Sequence, residues 1–209
     1  MAFLILVRHG VTDWNVNGRW HGLTNIPLNE EGRKQAKEAA VALQGIKIDA
    51  AYTSVLDRVT QTFDEIAKEL SLTIPLIKDP ALNERDYGIY TGKNKWEVEK
   101  EVGPEEFNSI RRKWDKLIPG GESLKQVYGR VIPFFREKIL EDLKSGKNVL
   151  IVSSGNSLRA LIKYLKNISD EDISKLELNF GEIHIFEFDK DGNITGSQTK
   201  NSGLYKGKI

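Results

Sequence analysis

The chain contains no cysteine, which excludes disulfide scaffolds, thiolate nucleophiles and cysteine-based zinc sites, and a reducing cytoplasm is the expected compartment. Histidine is nearly as scarce. His9, His21 and His184 are scattered without ligand-like spacing, so no metal is expected. Neither sign of charge is in excess: 31 Lys and Arg stand against 30 Asp and Glu, a formal net charge of +1. A whole-surface basic field of the nucleic-acid type is therefore not indicated, and strong anion binding must come from cations gathered locally. No apolar run approaches the length that spans a bilayer, and the run at residues 3–7 is too short for a signal peptide and lacks a cleavage signature. Neither a nucleic-acid nor a membrane partner is expected. The remainder reads as one globular domain, residues 1–209, long enough for one substantial core.

That core starts at once. Phe3-Leu4-Ile5-Leu6-Val7 reads as a short strand buried on both faces, the kind found at the centre of a parallel sheet. It breaks into Arg8, His9 and Gly10, which places a cation, an imidazole and a flexible backbone at the carboxyl end of a strand. Open α/β sheets bind ligands there. An arginine beside a histidine suits an anion, the guanidinium holding oxygens while the imidazole attacks phosphorus.

Downstream, Asn29 before Glu30-Glu31 is a helix start, Ala36, Ala39, Ala40 and Leu43 give that helix a small apolar face, and Gly45 ends it. Residues 50–53 form a strand. Ser54 is expected to cap a helix carrying Val59, Phe63, Ile66, Ala67 and Leu70, and residues 74–78, interrupted by Pro75, form an edge strand. The alternation predicts an α/β fold, a three-layer α/β/α arrangement around a mostly parallel central sheet. Residues 79–121 differ. Pro80, Gly88, Gly92, Pro104, Pro119 and Gly120-Gly121 punctuate two short helices, about 96–101 and 105–114, and an excursion this long is usually a lid or binding loop. A long helix over 122–143, mildly kinked at Pro133 and stopped by Gly146, leads to a second buried strand at 149–152. Ser153-Ser154-Gly155-Asn156 then opens a helix whose N–H groups offer an anion cradle. A hairpin turns at Asp189-Lys190-Asp191-Gly192, and the polar tail 200–209 is expected to be mobile. The two buried strands should bring His9 and Ser154 to one sheet edge, within reach of Arg58 near the start of its helix.

Leu6-Val7-Arg8-His9-Gly10 resembles the signature of the histidine phosphatase superfamily, whose histidine takes up a phosphoryl group. Six further stretches resemble the cofactor-dependent phosphoglycerate mutases within it. They are Thr12-Asp13-Trp14-Asn15, residues 82–88 (with Asn83-Glu84-Arg85-Asp86-Tyr87-Gly88), Thr91-Gly92-Lys93-Asn94-Lys95, residues 110–115, residues 120–124 and Gly155-Asn156-Ser157-Leu158-Arg159. The likeness runs from about residue 2 to 193, in a compact version with a shortened middle insertion.

The resemblance implies a phosphoglycerate mutase-like fold and interconversion of 3-phosphoglycerate and 2-phosphoglycerate through a phosphohistidine. It implies 2,3-bisphosphoglycerate as primer, no metal, and a monomer or homo-oligomer acting on small-molecule phosphoglycerates. By match, His9 is the nucleophile and Glu84 the proton donor and acceptor, and Arg8 and Arg58 hold the transferring phosphate. Arg85, Tyr87, Lys95, Arg111 and Arg112 hold the substrate's carboxylate and second phosphate, and Asn15, Gly22, Gly155 and Asn156 add polar contacts. Such a set focuses six cations on one site in a nearly neutral chain.

The match breaks at two places. Ser154 stands where the family carries its second histidine, the imidazole that stabilises the transferring group. Losing one preorganised donor typically costs on the order of 10²–10³ in rate. His21 stands where the mutases usually have a small hydroxyl residue, and it is expected to alter how the substrate is held. A phosphomonoester phosphatase, with water as acceptor, and a non-catalytic phospho-ligand binder are the competing functions.

Overall fold

Five consecutive apolar residues need protein on both sides, and the fold supplies it. A computed structural model of the chain describes residues 1–202. The elements in chain order are β1 (Ala2–Arg8), α1 (Asp13–Val16), α2 (Glu30–Ala42), β2 (Ala50–Thr53), α3 (Asp57–Glu69), β3 (Leu76–Lys78), α4 (Lys95–Val102), α5 (Pro104–Arg112), α6 (Leu124–Phe134), α7 (Leu140–Lys144), β4 (Val149–Ser153), α8 (Gly155–Leu165), β5 (Glu182–Phe188) and β6 (Ile194–Asn201). The sheet order is β3-β2-β4-β1-β5-β6. The first four of these strands are parallel, and β5 and β6 extend the sheet antiparallel. Leu4, Leu6 and Ile151 face α6 and α8, while Ile5, Val7, Leu150 and Val152 face α2 and α3. That is the three-layer α/β/α fold expected. The register sets Val7 opposite Val152 and Arg8 opposite Ser153, so β1 and β4 end level with each other.

Local chemistry explains most boundaries. The Asn29 side chain accepts from Gly32 N–H to cap α2, with Glu30 and Glu31 in the first turn. A Cβ on Gly10 would lie 2.3 Å from the Gly32 carbonyl oxygen, so only glycine lets the loop after β1 rest against α2.

Four expectations are corrected. Ser54 does not cap α3: the helix starts at Asp57 after Leu56, and the Ser54 Oγ accepts only from Leu56 N–H, at 3.4 Å, inside the intervening bend. The edge strand β3 keeps only Leu76–Lys78, because Pro75 has no N–H for the ladder, although its carbonyl accepts from Ala51. The long helix runs unbroken over 124–144, as expected, but its disturbance is a change of helix type rather than a mild kink. Ser123 and Gln126 form a capping box for α6, Pro133 lies inside it, and a π-helical turn at Phe135–Ile139 leads into α7. Proline removes one helical hydrogen bond and crowds the preceding turn, and the widened turn directly after it absorbs the misfit. Finally, Lys200 and Asn201 belong to β6, paired with Ile183 and Glu182. Ser202 donates to the Gly181 carbonyl, and residues 203–209 of the polar tail lie outside the described residues.

The excursion packs on a core of its own, in which Trp20, Tyr87, Val98, Phe107, Ile110 and Ile118 are buried together. It therefore forms a structured wall over the sheet edge.

Candidate active site

β1 delivers His9 to the sheet edge, where its N–H donates to the Ser153 carbonyl at 3.0 Å and ties it to the end of β4. The imidazole is buried, and its Nδ1 donates to the Gly10 carbonyl at 2.7 Å. A carbonyl only accepts, so the proton of the neutral ring sits on Nδ1 and Nε2 keeps its lone pair. Burial, then Arg58 and Arg8, hold His9 well below the usual histidine range. A neutral imidazole with a free nitrogen is a nucleophile ready to act.

Two arginines flank it. Arg8 donates to the Leu178 carbonyl at 2.7 Å, and the Phe180 ring lies 3.7 Å from its guanidinium carbon. Arg58, in the first turn of α3, is fully buried and donates to the carbonyls of Thr24 and Gly22, at 2.9 and 3.1 Å. Burial pushes both down to about 10, against the opposing pull of Glu84. The Nε atoms of Arg8, Arg58 and Arg159 are buried with no hydrogen-bond partner among the described residues. Further out are Lys95, pushed down to about 7 by burial and by Arg111 and Arg8, and Arg111, lowered by burial and by Arg112. Arg112 pairs with Glu177 at 2.5 Å.

Glu84 faces the opening of α8. One of its carboxylate oxygens accepts from Arg85 N–H at 2.6 Å, from Asn156 Nδ2 at 3.0 Å and from Asn156 N–H at 3.3 Å. The expected anion cradle is thus partly used by this carboxylate, which a helix N-terminus stabilises. Asn156 also donates to the Tyr87 hydroxyl and accepts from Arg159, so one amide positions three groups.

The cavity at this edge has a volume of about 370 Å³. Twelve of the fifteen expected site residues line it: Arg8, His9, Asn15, His21, Arg58, Glu84, Tyr87, Lys95, Arg111, Arg112, Gly155 and Asn156. The other three stand behind the wall. Arg85 is fully buried and spends its guanidinium on the carbonyls of Glu122, Ile110 and Lys116, at 2.7, 3.0 and 3.1 Å. Gly22, at φ +52°, shapes the loop and offers its carbonyl to Arg58. Ser154 is fully buried, with its Oγ unpartnered among the described residues.

Sequence reasoning missed Arg159 and Phe180 on this wall. Arg159 had a signal, since it follows Asn156 by one helical turn and so shares its face. Phe180 had none, because a connection between α8 and β5 brings it there. Arg130, off the wall, was missed too. It forks onto both oxygens of Glu122 and donates to the carbonyls of Ala81, Asn83 and Glu84, fixing the loop after β3 that carries Glu84.

Comparison with known proteins gives the family and the fold. The model of the histidine phosphatase superfamily (branch 1) matches residues 4–198. A 2,3-bisphosphoglycerate-dependent phosphoglycerate mutase of Cytophaga hutchinsonii is 43% identical, over 90% of this chain and 88% of its own. A second, from Latilactobacillus sakei, is 39% identical over 96% of this chain and 100% of its own. Among solved structures, Bacillus stearothermophilus YhfR superposes with a TM-score of 0.82 at 28% identity, covering 93% of this chain and 94% of that one. A mycobacterial glucosyl-3-phosphoglycerate phosphatase gives 0.82 at 22% identity over 100% of both chains, a likeness of fold. The chain therefore belongs to branch 1 of the histidine phosphatase superfamily, in the family of the 2,3-bisphosphoglycerate-dependent phosphoglycerate mutases.

Proposed function

We propose that the protein interconverts 3-phosphoglycerate and 2-phosphoglycerate through a phosphohistidine at His9. The observation that carries this is the proton-free Nε2 of a buried His9 inside a cavity walled by Arg8, Arg58, Lys95, Arg111 and Arg112. Phosphoryl transfer is mainly positioning and charge stabilisation, so the catalytic load falls on such cations. Two groups of them, one at His9 and one on α4 and α5, suit a ligand with two anionic ends. Arg159 lines the same cavity and adds a further cation to it. When bound, 2,3-bisphosphoglycerate supplies the phosphoryl group that primes His9.

On primed His9 the Nε2–P bond breaks as phosphorus bonds to the substrate's free hydroxyl oxygen, whose proton passes to the Glu84 carboxylate. In the second half the Nε2–P bond forms again as the other P–O bond breaks, and Glu84 returns the proton to the departing oxygen. Arg8 and Arg58 hold the nonbridging oxygens, and Lys95, Arg111 and Arg112 hold the other end of the substrate. With the function goes the cytoplasmic location expected from the sequence.

The test is to supply 3-phosphoglycerate with a trace of 2,3-bisphosphoglycerate and follow both phosphoesters by phosphorus NMR. Isomerisation that depends on the primer and disappears in His9→Ala is the expected result. Release of inorganic phosphate without isomerisation assigns the protein to the phosphatases instead.

A further inference from the structure

The resemblance leaves a place for a second imidazole at residue 154, and Ser154 lies behind the cavity wall. Position in the sequence gives His21 no claim to that role. Position in space does. Its ring centre is 6.4 Å from that of His9, tilted by 59°, and both rings line the same cavity. A tetrahedral oxyanion carried on one ring reaches the other across such a gap by a hydrogen bond of about 2.7–3.2 Å.

We propose that His21 supplies the second imidazole of this site, donating through Nδ1 to the phosphoryl group as it moves to and from His9; the proposal rests on the phosphohistidine reading above.

The ring is held for this task. Its Nε2 lies 2.6 Å from the Thr12 Oγ1, and the Trp14 ring packs 5.6 Å away. Arg58 clamps the following loop through the carbonyls of Gly22 and Thr24, which couples His21 to a phosphate-binding cation. Thr12 sets which protonation states present a donor at Nδ1. Its hydroxyl has Asn15 Oδ1 at 3.1 Å as a second acceptor. When the hydroxyl donates to Nε2, the proton of the neutral ring is on Nδ1. When the ring is doubly protonated, Nε2–H donates to Thr12 and the hydroxyl turns to Asn15. Nδ1 is a donor in both of these states; only the neutral ring with its proton on Nε2, donated to Thr12 while the hydroxyl turns to Asn15, lacks one there, and a phosphoryl dianion beside Nδ1 favours the two that have it. Burial, Arg58, Lys95 and Arg8 hold the free ring neutral, and a bound phosphoryl dianion works against that depression. In the transfer step His21 keeps its proton, and the bonds made and broken are those at His9, phosphorus and the Glu84 carboxyl.

The test compares His21→Phe, which keeps a ring and removes both nitrogens, with His21→Asn, which returns an amide N–H near the place of Nδ1. Each is mixed with labelled 2,3-bisphosphoglycerate in a single turnover, and acid-labile label on His9 is counted against time and donor concentration. His21→Phe should slow labelling about 10²–10³-fold, the usual cost of a lost transition-state donor. Half-saturation by the donor should move less than about threefold, as for an interaction made in the transition state. His21→Asn should recover at least about tenfold of the loss. Labelling of His21→Phe at the wild-type rate, a change in half-saturation alone, or an equal fall in both variants overturns the proposal and leaves the phosphohistidine intact. Wild-type protein that takes label from neither the bisphosphate nor p-nitrophenyl phosphate overturns the reading on which the proposal rests, and the proposal with it.

Discussion

Burial of the His9 ring beside Arg58 and Arg8 keeps the imidazole neutral, outweighing the opposite pull of the hydrogen bond from Nδ1 to the Gly10 carbonyl, and that bond leaves the lone pair on Nε2. A nucleophile held well below the usual histidine range does not lose activity by its own protonation in mildly acid solution. The second-order rate of His9 labelling at low donor concentration, which reports the free enzyme, should therefore show no acid limb from this group between about pH 5.5 and 7.5, where an ordinary histidine titrates. A limb centred near 6.5 contradicts the depressed value. Lys95 gives a second signature. Its value falls from 10.5 to about 7 in the fold, so the unfolded chain binds more protons between those limits. The ligand-free protein gains stability as pH rises through that window, and below about 7 the whole penalty is present. A polyanion in the cavity reverses the depression. At pH 8, calorimetry in buffers of different ionisation heat should find about one proton taken up on phosphoglycerate binding, and that uptake should vanish in Lys95→Met. Arg8 and His9 were legible in the sequence because a cation and an imidazole follow directly on a buried apolar strand, whereas the roles of Arg58, Lys95, Arg111 and Arg112 came from the resemblance. The separate fate of Arg85 was not legible. Nothing local says whether a guanidinium will meet a ligand or three carbonyls.

At the scale of elements, the excursion is held by two arginines that never reach the cavity. Arg85 joins the carbonyls of Glu122, Ile110 and Lys116, and Arg130 joins Glu122 to the segment 81–84. Replacing Arg85 by Met leaves three carbonyls without this donor and should cost about 3–5 kcal/mol in denaturant unfolding. Lysine should not rescue it, since a point charge cannot span the fork. Arg130→Met should lower kcat at least about tenfold with a smaller change in KM, because it displaces the carboxyl acid and leaves the phosphate ligands in place. A kinetically normal Arg130→Met shows that Glu84 is positioned by other means. Elements with a local cause were readable: Asn29 announces α2, and Asp189 turns the last hairpin by accepting from Asp191 and Asn193. The π-helical turn after Pro133 was not, because the sequence shows that a helix is disturbed there and packing decides how it yields.

For the whole molecule, near-neutrality is the background that lets one cavity be cationic. The chain carries a net charge of +1, yet Arg8, Arg58, Lys95, Arg111, Arg112 and Arg159 all line a single cavity. Their field is short-ranged, so substrate KM should rise with ionic strength while labelling at saturating donor changes little. The sheet supports this concentration of charge. Leu6 is fully buried on β1, two residues from Arg8, and Leu6→Ala should cost about 2–5 kcal/mol and loosen the strand pair that carries His9. All of this serves one chemical event, and one measurement addresses it most directly. The protein is incubated with labelled 2,3-bisphosphoglycerate, acid-labile phosphate on His9 is located, and the labelled enzyme is chased with unlabelled 3-phosphoglycerate. The mechanism predicts stoichiometric label on His9, absent in His9→Ala, that passes to phosphoglycerate on the chase. Label that forms elsewhere, or that leaves His9 only as inorganic phosphate, contradicts it.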